Sequence, residues 1–261
     1  MPIDQLYDQY YDTEKKKRWY EVGAAGKVEN ILRLCKPLKP ATVLDIGAGN
    51  GALLQKMHDG GLGERLSAIE ISRSGLEQLN ARRASLPRLA DVRTFDGVHF
   101  PYPDNSFDLA VLSHVIEHVE HPRLLLYEAA RVARYLYAEV PLEIAAFKKT
   151  LRGDWVLDST GHINYYTKDV FKRLLQTSGW QPEKIEVVPA SKGTHTFYKG
   201  TRGTIEFGIK QAAIRVAPSL AQMFFVYHCA TLSKRADRIS ISLGDVLPPY
   251  NERKPARTEG V

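Results

Sequence analysis

Cysteine is scarce. Cys35 and Cys229 are the only two in 261 residues, too far apart and too few for a disulfide framework or a thiolate metal centre, which suits a reducing compartment. Long apolar runs are missing as well. No stretch reaches the ~20 uncharged residues that a membrane-spanning helix needs. The first residues carry polar Asp4, Gln5 and Asp8 in place of a charged segment followed by an apolar one. A cytoplasmic protein with no transmembrane segment is the resulting expectation. Concentrated charge of one sign is also absent. The net charge of +6 is spread along the chain, with Lys15-Lys16-Lys17-Arg18 the densest run, so there is no strong nucleic-acid signal. What is present is ordinary for a globular chain, 44% hydrophobic and 25% charged, at a length that suits one α/β domain with a few insertions.

The hydrophobic pattern divides the chain into three parts. Residues 4–36 read as helical, with Val28, Ile31, Leu32 and Cys35 at helical spacing until Pro37 and Pro40, so 1–40 is expected to form an N-terminal helical cap. From Ala41 apolar strands alternate with amphipathic helices: strands 42–46, 65–70, 91–95, 107–112 and 135–140, helices 50–59, 72–83 and 122–133. That rhythm predicts a Rossmann-like, doubly wound α/β fold with a mostly parallel sheet and helices on both faces. It breaks after Pro141. Residues 141–161, containing Trp155, read as an insertion over the sheet edge, followed by a helix at 167–178, a strand at 183–189, a helix at 204–217 and a closing strand at 222–232. The last two strands are expected to pair antiparallel and complete a seven-stranded sheet in a domain of residues 41–235. Residues 236–261, rich in Pro, Asn, Glu, Lys and Arg, read as a weakly ordered tail.

The sharpest local signal is VLDIGAGNGALL at 43–54, where a β-branched strand runs into a glycine-dense turn that opens a helix. Gly47, Gly49 and Gly51 let the backbone bend tightly and let a ligand lie against it, while the helix start offers free N–H groups. Glu70, at the end of the next strand, can accept hydrogen bonds from both hydroxyls of a ribose. That placement serves dinucleotides as well as other adenosine ligands. Asp45 decides between them, because a carboxylate inside the turn repels a pyrophosphate but suits a ligand bearing an ammonium and a sulfonium.

The order Asp45, Gly47, Gly49, Gly51 resembles the first motif of class I S-adenosylmethionine-dependent methyltransferases, over roughly residues 20–190 of the chain. The resemblance implies S-adenosylmethionine as cofactor, its methionine part against the turn, its ribose on Glu70 and its adenine on Ile71. It extends to FDGVHFPYPDNSFDLAVLSHVIEHV at 95–119, which implies that Asp96 accepts from the adenine amino group and that the Gly97 backbone faces the ring. Ser113, at the fourth strand's end, joins the implied cofactor-binding set. One departure is visible. Many relatives carry a Pro-Gly-Gly turn before the fifth strand, whereas RVARYLYAEVP passes from helix to strand without glycine.

Methyl transfer to a hydroxyl or ammonium requires a proton to leave the acceptor, and histidine is the side chain best matched to that proton. His114 falls just past the fourth strand, at the sheet edge where ligands sit. Glu117-His118 follows it, resembling the Glu-His-Val of small-molecule members, and His121 precedes Pro122 at a helix start. His162, in STGHINYYT, returns the chain to the mouth of the sheet. His114, His118 and His162 are therefore the catalytic candidates. The spacing His114-x-x-Glu117-His118 also matches an inverted zinc-protease pattern, but that chemistry needs one long helix where a strand end and a loop are expected. A divalent ion at Glu117 and His118 assisting transfer is a further possibility, and no metal ligand set is assigned.

Base-carbon methylation of RNA needs an active-site cysteine near the fourth or fifth strand, where neither Cys35 nor Cys229 falls, and exocyclic adenine methylation uses an Asn/Asp-Pro-Pro-aromatic turn after the fourth strand, where Ser113-His114-Val115 stands instead. Pro248-Pro249-Tyr250 has no strand before it. A small-molecule or glycan acceptor methylated at oxygen is the first expectation. Methylation of a small molecule at nitrogen, or cofactor binding without transfer, is the alternative.

Overall fold

The computed structural model describes residues 14–143 and 161–237. Tyr11, Trp155, most of the expected insertion and nearly all of the expected tail lie outside the described residues. Within them, α1 (Glu14–Cys35) precedes an alternation of β1 (Thr42–Ile46), α2 (Ala52–Asp59), β2 (Arg65–Glu70), α3 (Arg73–Ala81), β3 (Leu89–Thr94), β4 (Phe107–Ser113), α4 (Pro122–Val132) and β5 (Ala133–Leu142). The second half adds α5 (Lys168–Gln176), β6 (Trp180–Val188), α6 (Lys192–Val216), α7 (Pro218–Phe224) and β7 (Tyr227–Arg235).

The seven strands form one sheet in the order β3-β2-β1-β4-β5-β7-β6. Only β7 is antiparallel to its neighbours, pairing with β5 on one side and β6 on the other. Strands of a parallel sheet are covered on both faces, so β1 and β4 read as nearly continuous apolar runs. Leu44, Ile46, Ala110 and Leu112 pack with α4 and α5 on one face. Val43, Leu109 and Val111 pack with α1 and α2 on the other. The order of strands reverses between β1 and β4, and that switch point leaves a crevice at their carboxyl ends.

Local chemistry sets the helix starts. Asn50 Oδ1 accepts from the N–H of Ala52 (3.1 Å) as α2 begins, and the hydroxyls of Ser72 and Thr167 accept from Gly75 and Val170 at the starts of α3 and α5. Pro122 occupies the first turn of α4, as expected from its position after His121.

Several boundaries differ from expectation, among them the start of β6 at Trp180 in place of 183. β5 runs through Pro141 to Leu142. Its ladder with β4 ends at Ser113↔Glu139, so at Pro141 the strand is paired with β7 alone and tolerates a residue lacking an N–H. The helix expected at 204–217 begins at Lys192, where the Ser191 hydroxyl accepts from Thr194 N, and it kinks at Gly200 (φ 55°, ψ −136°). The first residues of the strand expected at 222–232 belong to α7, and β7 runs from Tyr227 to Arg235. An apolar run such as QMFFVYHCATL is equally compatible with a helix end and a buried strand.

Candidate active site

At the switch point the chain leaves β1 through Gly47 and Gly49, both in the left-handed region (φ 69° and 55°). The N–H groups of Gly47 and Ala48 both donate to Ile69 O, at 2.9 and 3.1 Å, which ties the turn to the end of β2. Gly49 N donates to Glu70 Oε2 at 2.8 Å, while Glu70 Oε1 accepts from the N–H and hydroxyl of Ser72, each at 2.9 Å. Glu70 thus fixes the turn, and with these three bonds accepted its Oε2 keeps a lone pair for a ribose hydroxyl. A Cβ at Gly47 would lie 2.8 Å from Val115 Cγ2, so the turn has no room for a side chain there.

Gly51 has a different reason to be glycine. A Cβ there would stand 2.4 Å from Leu79 Cδ1, and Gly51 is not part of the cavity wall. The structure places it at the contact of α2 with α3, between Asn50 and Ala52, which do line the cavity.

Asp45, Gly47, Gly49, Glu70, Ile71, Asp96, Gly97 and Ser113 do come together, lining one cavity of about 500 Å³. Asp45 is buried, and its Oδ2 has no hydrogen-bond partner among the described residues. Burial, and next the neighbouring Glu70, push its carboxyl up to about 8, with the Lys27 ammonium working the other way. Ile71 Cδ1 lies 3.5 Å from where a Gly97 Cβ would be, so the two are neighbours on one stretch of the cavity wall. Asp96 sits at the rim and accepts from Val98 N (2.9 Å) and His99 N (2.6 Å). Partial burial raises its carboxyl, but these bonds and the His99 ring hold it below the usual range. The Ser113 hydroxyl is buried without a partner among the described residues.

The far wall is made of histidines and carboxylates. His114 follows β4 with φ 58°, a conformation uncommon outside glycine, and its N–H donates to Glu139 O at 2.9 Å. Its Nδ1 lies 3.1 Å from Glu117 Oε1 and its Nε2 3.5 Å from Glu139 Oε1. Burial and Lys27 lower the His114 imidazolium, and the two carboxylates more than offset them, so the net shift is upward. Glu117 and His118 lie on a 3-10 turn, Ile116–His118, so the residues of the protease-like spacing do not share a helix. His118 Nδ1 is 3.2 Å from Gly161 O, and burial lowers its imidazolium. His162 packs edge-on to His118 with ring centroids 4.7 Å apart, and its Nδ1 is 2.7 Å from Glu143 Oε2.

Lys27, Glu139, Glu143 and His228 also line this cavity, and sequence reasoning passed over them. Glu139 and His228 carried a readable signal, since each is an ionisable residue inside an otherwise apolar buried strand. Glu139 pairs with Ala230, so His228 is its diagonal neighbour on the same face, and His228 Nδ1 lies 3.0 Å from Glu139 Oε1. Lys27 enters from α1, where burial lowers its ammonium against the opposing pull of Glu139, Glu117 and Asp45.

S-adenosylmethionine fits what is on this wall. The orphaned Asp45 oxygen matches an ammonium, the Gly47–Gly49 turn admits a chain against the backbone, and the apolar Ile71 beside the bare Gly97 backbone offers a surface to a base. Fold and turn together define a class I methyltransferase domain whose cofactor is S-adenosylmethionine. More particularly, the chain belongs to the family described as a methyltransferase domain, whose model matches residues 17–185. The ubiquinone/menaquinone biosynthesis C-methyltransferase UbiE of Rickettsia bellii is 26% identical over 165 residues, covering 56% of this chain and 64% of that protein. The chain therefore spans less than two thirds of the length of the curated relatives it matches. Geranyl diphosphate methyltransferase, in complex with GPP and sinefungin, superposes with a TM-score of 0.62 at 11% identity, over 90% of this chain and 100% of that one. Magnesium protoporphyrin IX methyltransferase from Synechocystis PCC 6803, with bound SAH, gives 0.58 at 14%, over 89% and 99%. At these identities the two structures show a shared fold. Among the described residues no helix is long and apolar enough to cross a membrane.

Proposed function

We propose that the chain methylates a small-molecule or glycan acceptor at oxygen, and that His162 takes the acceptor's proton. One observation carries the assignment of the base. His162 lines the cavity with Nδ1 2.7 Å from Glu143 Oε2, so a proton on Nδ1 is held by the carboxylate and Nε2 is left to accept. When bound, S-adenosylmethionine supplies an electrophilic methyl group, and sulfur keeps the electron pair as that group moves to the acceptor oxygen.

The chain's own part is to orient the acceptor and remove its proton. His118 is a positioning residue in this reading: its ring packs against His162, and its Nδ1 faces the backbone of Gly161, the residue before His162. His114 does not act as the base, because both of its ring nitrogens face carboxylates. The relative from Rickettsia bellii is named for carbon methylation in quinone biosynthesis. A dyad placed to strip a proton favours an acceptor hydroxyl here.

The test is a screen of hydroxylated acceptors with S-adenosylhomocysteine release as readout, followed by His162→Ala and Glu143→Gln. His162→Ala is expected to lower turnover about 10²–10⁴-fold while cofactor affinity stays within a few-fold. Full turnover in that variant would assign the proton to another group. Release of S-adenosylhomocysteine with no acceptor, or no release with any, would sink the transferase reading. Loss of S-adenosylmethionine affinity in Asp45→Asn, with no gain for a nicotinamide dinucleotide, excludes hydride chemistry in the same crevice.

A further inference from the structure

His114, Glu139 and His228 do not read as a proton relay. We propose that they form a binding site for a divalent transition-metal ion of the zinc type, with an open coordination position facing the cavity. The three ligand atoms lie within 4.8 Å of one another. Glu139 Oε1 is 3.0 Å from His228 Nδ1 and 3.5 Å from His114 Nε2. Ligand atoms around a tetrahedral zinc stand about 3.3 Å apart, so small side-chain rotations place all three on one ion.

The groups behind the ligands fit a metal too. A ligating histidine characteristically presents its second nitrogen to a carboxylate, and His114 Nδ1 lies 3.1 Å from Glu117 Oε1. Its Nε2, the atom turned toward Glu139 and His228, is buried with no hydrogen bond among the described residues. Glu139 is likewise supported, because Tyr137 donates its hydroxyl to the other carboxylate oxygen. Glu117 and Glu139 are 0% and 1% exposed, and among the described residues the ammonium that acts on both is that of Lys27. The local charge is therefore negative while the histidines are neutral, and a dication reverses it.

Two histidines and one glutamate leave a tetrahedral ion one position for an outside oxygen, the arrangement of a catalytic site rather than a structural one. His114, Glu139 and His228 all line the cavity, so that oxygen can belong to the acceptor, whose hydroxyl the ion would acidify. The role in acidification rests on the methyl-transfer reading. The site itself does not.

The experiment uses the full chain, stripped with a chelator, and measures Zn²⁺ affinity against a chromophoric competitor and Co²⁺ uptake by visible absorption. One ion per chain is expected, with the intense absorption of tetrahedral cobalt. His228→Ala and Glu139→Gln should each lower Zn²⁺ affinity at least a hundredfold, and Glu117→Gln about 10–100-fold. His162→Ala should change it less than threefold. Binding of S-adenosylhomocysteine by each variant reports that it has folded, and the cobalt spectrum of the unsubstituted protein reads the coordination without any variant.

The proposal is overturned by cobalt with the pale spectrum of its aqua ion. Zn²⁺ affinity that ignores both His228→Ala and Glu139→Gln does the same. So does an equal loss in His162→Ala, which would place the ion at the Glu117, His118 and His162 group instead. If stoichiometric Zn²⁺ binding persists where no acceptor is methylated, the metal site stands and the transfer reading falls.

Discussion

Asp45 is asked to hold a charge where its surroundings oppose one. Burial and Glu70 together move its carboxyl to about 8, so near neutrality the ligand-free protein keeps it mostly protonated. An unfolded chain releases that proton near pH ~4. Between the two values the native state binds a proton the unfolded state lacks, so this residue's contribution makes stability fall as pH rises through that window and level off above about 8. Asp45→Asn removes the slope. Its ligand-free melting temperature is expected to exceed that of the parent by a margin that widens from pH 5 to about 8, while S-adenosylmethionine affinity drops at least tenfold. Equal melting curves at pH 5 and pH 9 would show that Asp45 is not destabilising. Asp45 and Glu70 were legible in the sequence because strand, turn and acid follow one another within two short segments. Glu139 and His228 showed only as ionisable residues inside apolar strands, and neither they nor Lys27 could be assigned to the site, because each comes from a separate element and only the sheet order and the packing of α1 bring them to one wall.

The segment from Phe95 to Ser106 supplies the Asp96 and Gly97 side of the crevice, and α4 holds it in place. Glu128 Oε2 accepts from Phe100 N at 3.0 Å, and Arg131 reaches the carbonyls of Phe100 (3.0 Å) and Tyr102 (2.7 Å) while pairing with Glu128 at 2.7 Å. Glu128 is nearly fully buried, so removing the Arg131 guanidinium takes a charge-assisted pair away from a buried carboxylate. Arg131→Ala is expected to cost about 3 kcal/mol, a fall on the order of 10 °C in melting temperature. It should also weaken S-adenosylmethionine binding severalfold by loosening the Gly97 wall. Calorimetry showing an unchanged melting point would remove Arg131 from that support. Elements of this first half were readable because hydrophobic period and glycine punctuation agree. The second half was harder. The Gly200 kink joins two helical stretches, and α7 gives way to β7 inside one apolar run, so neither period is sustained long enough to declare itself.

Across the whole molecule, α1 does more than cap the sheet. Glu21 pairs with Arg82 beyond α3 at 2.6 Å, and Arg33 pairs with Glu186 on β6, so the helix is tied to both halves of the sheet. It also lies so close to the start of α6 that a Cβ at Gly26 would stand 2.4 Å from Ser191 Cβ. The next residue, Lys27, is thereby delivered into the cavity, where its charge is felt by Asp45. We propose that this ammonium, which shares the cavity with the Gly47–Gly49 turn, receives the carboxylate of S-adenosylmethionine and that Asp45 receives its amine. Lys27→Met separates this role from a general effect on the pocket. Deleting a charge-assisted hydrogen bond from a buried site weakens binding about ten- to a hundredfold. The variant should lose that much affinity for S-adenosylmethionine and less than threefold for the decarboxylated cofactor, which retains the sulfonium and amine but has no carboxylate. Titration calorimetry with both ligands on both proteins supplies the comparison. Because any change in Asp45 ionisation acts on the amine that both ligands share, equal losses for the two would mean that Lys27 tunes Asp45 and does not touch the carboxylate.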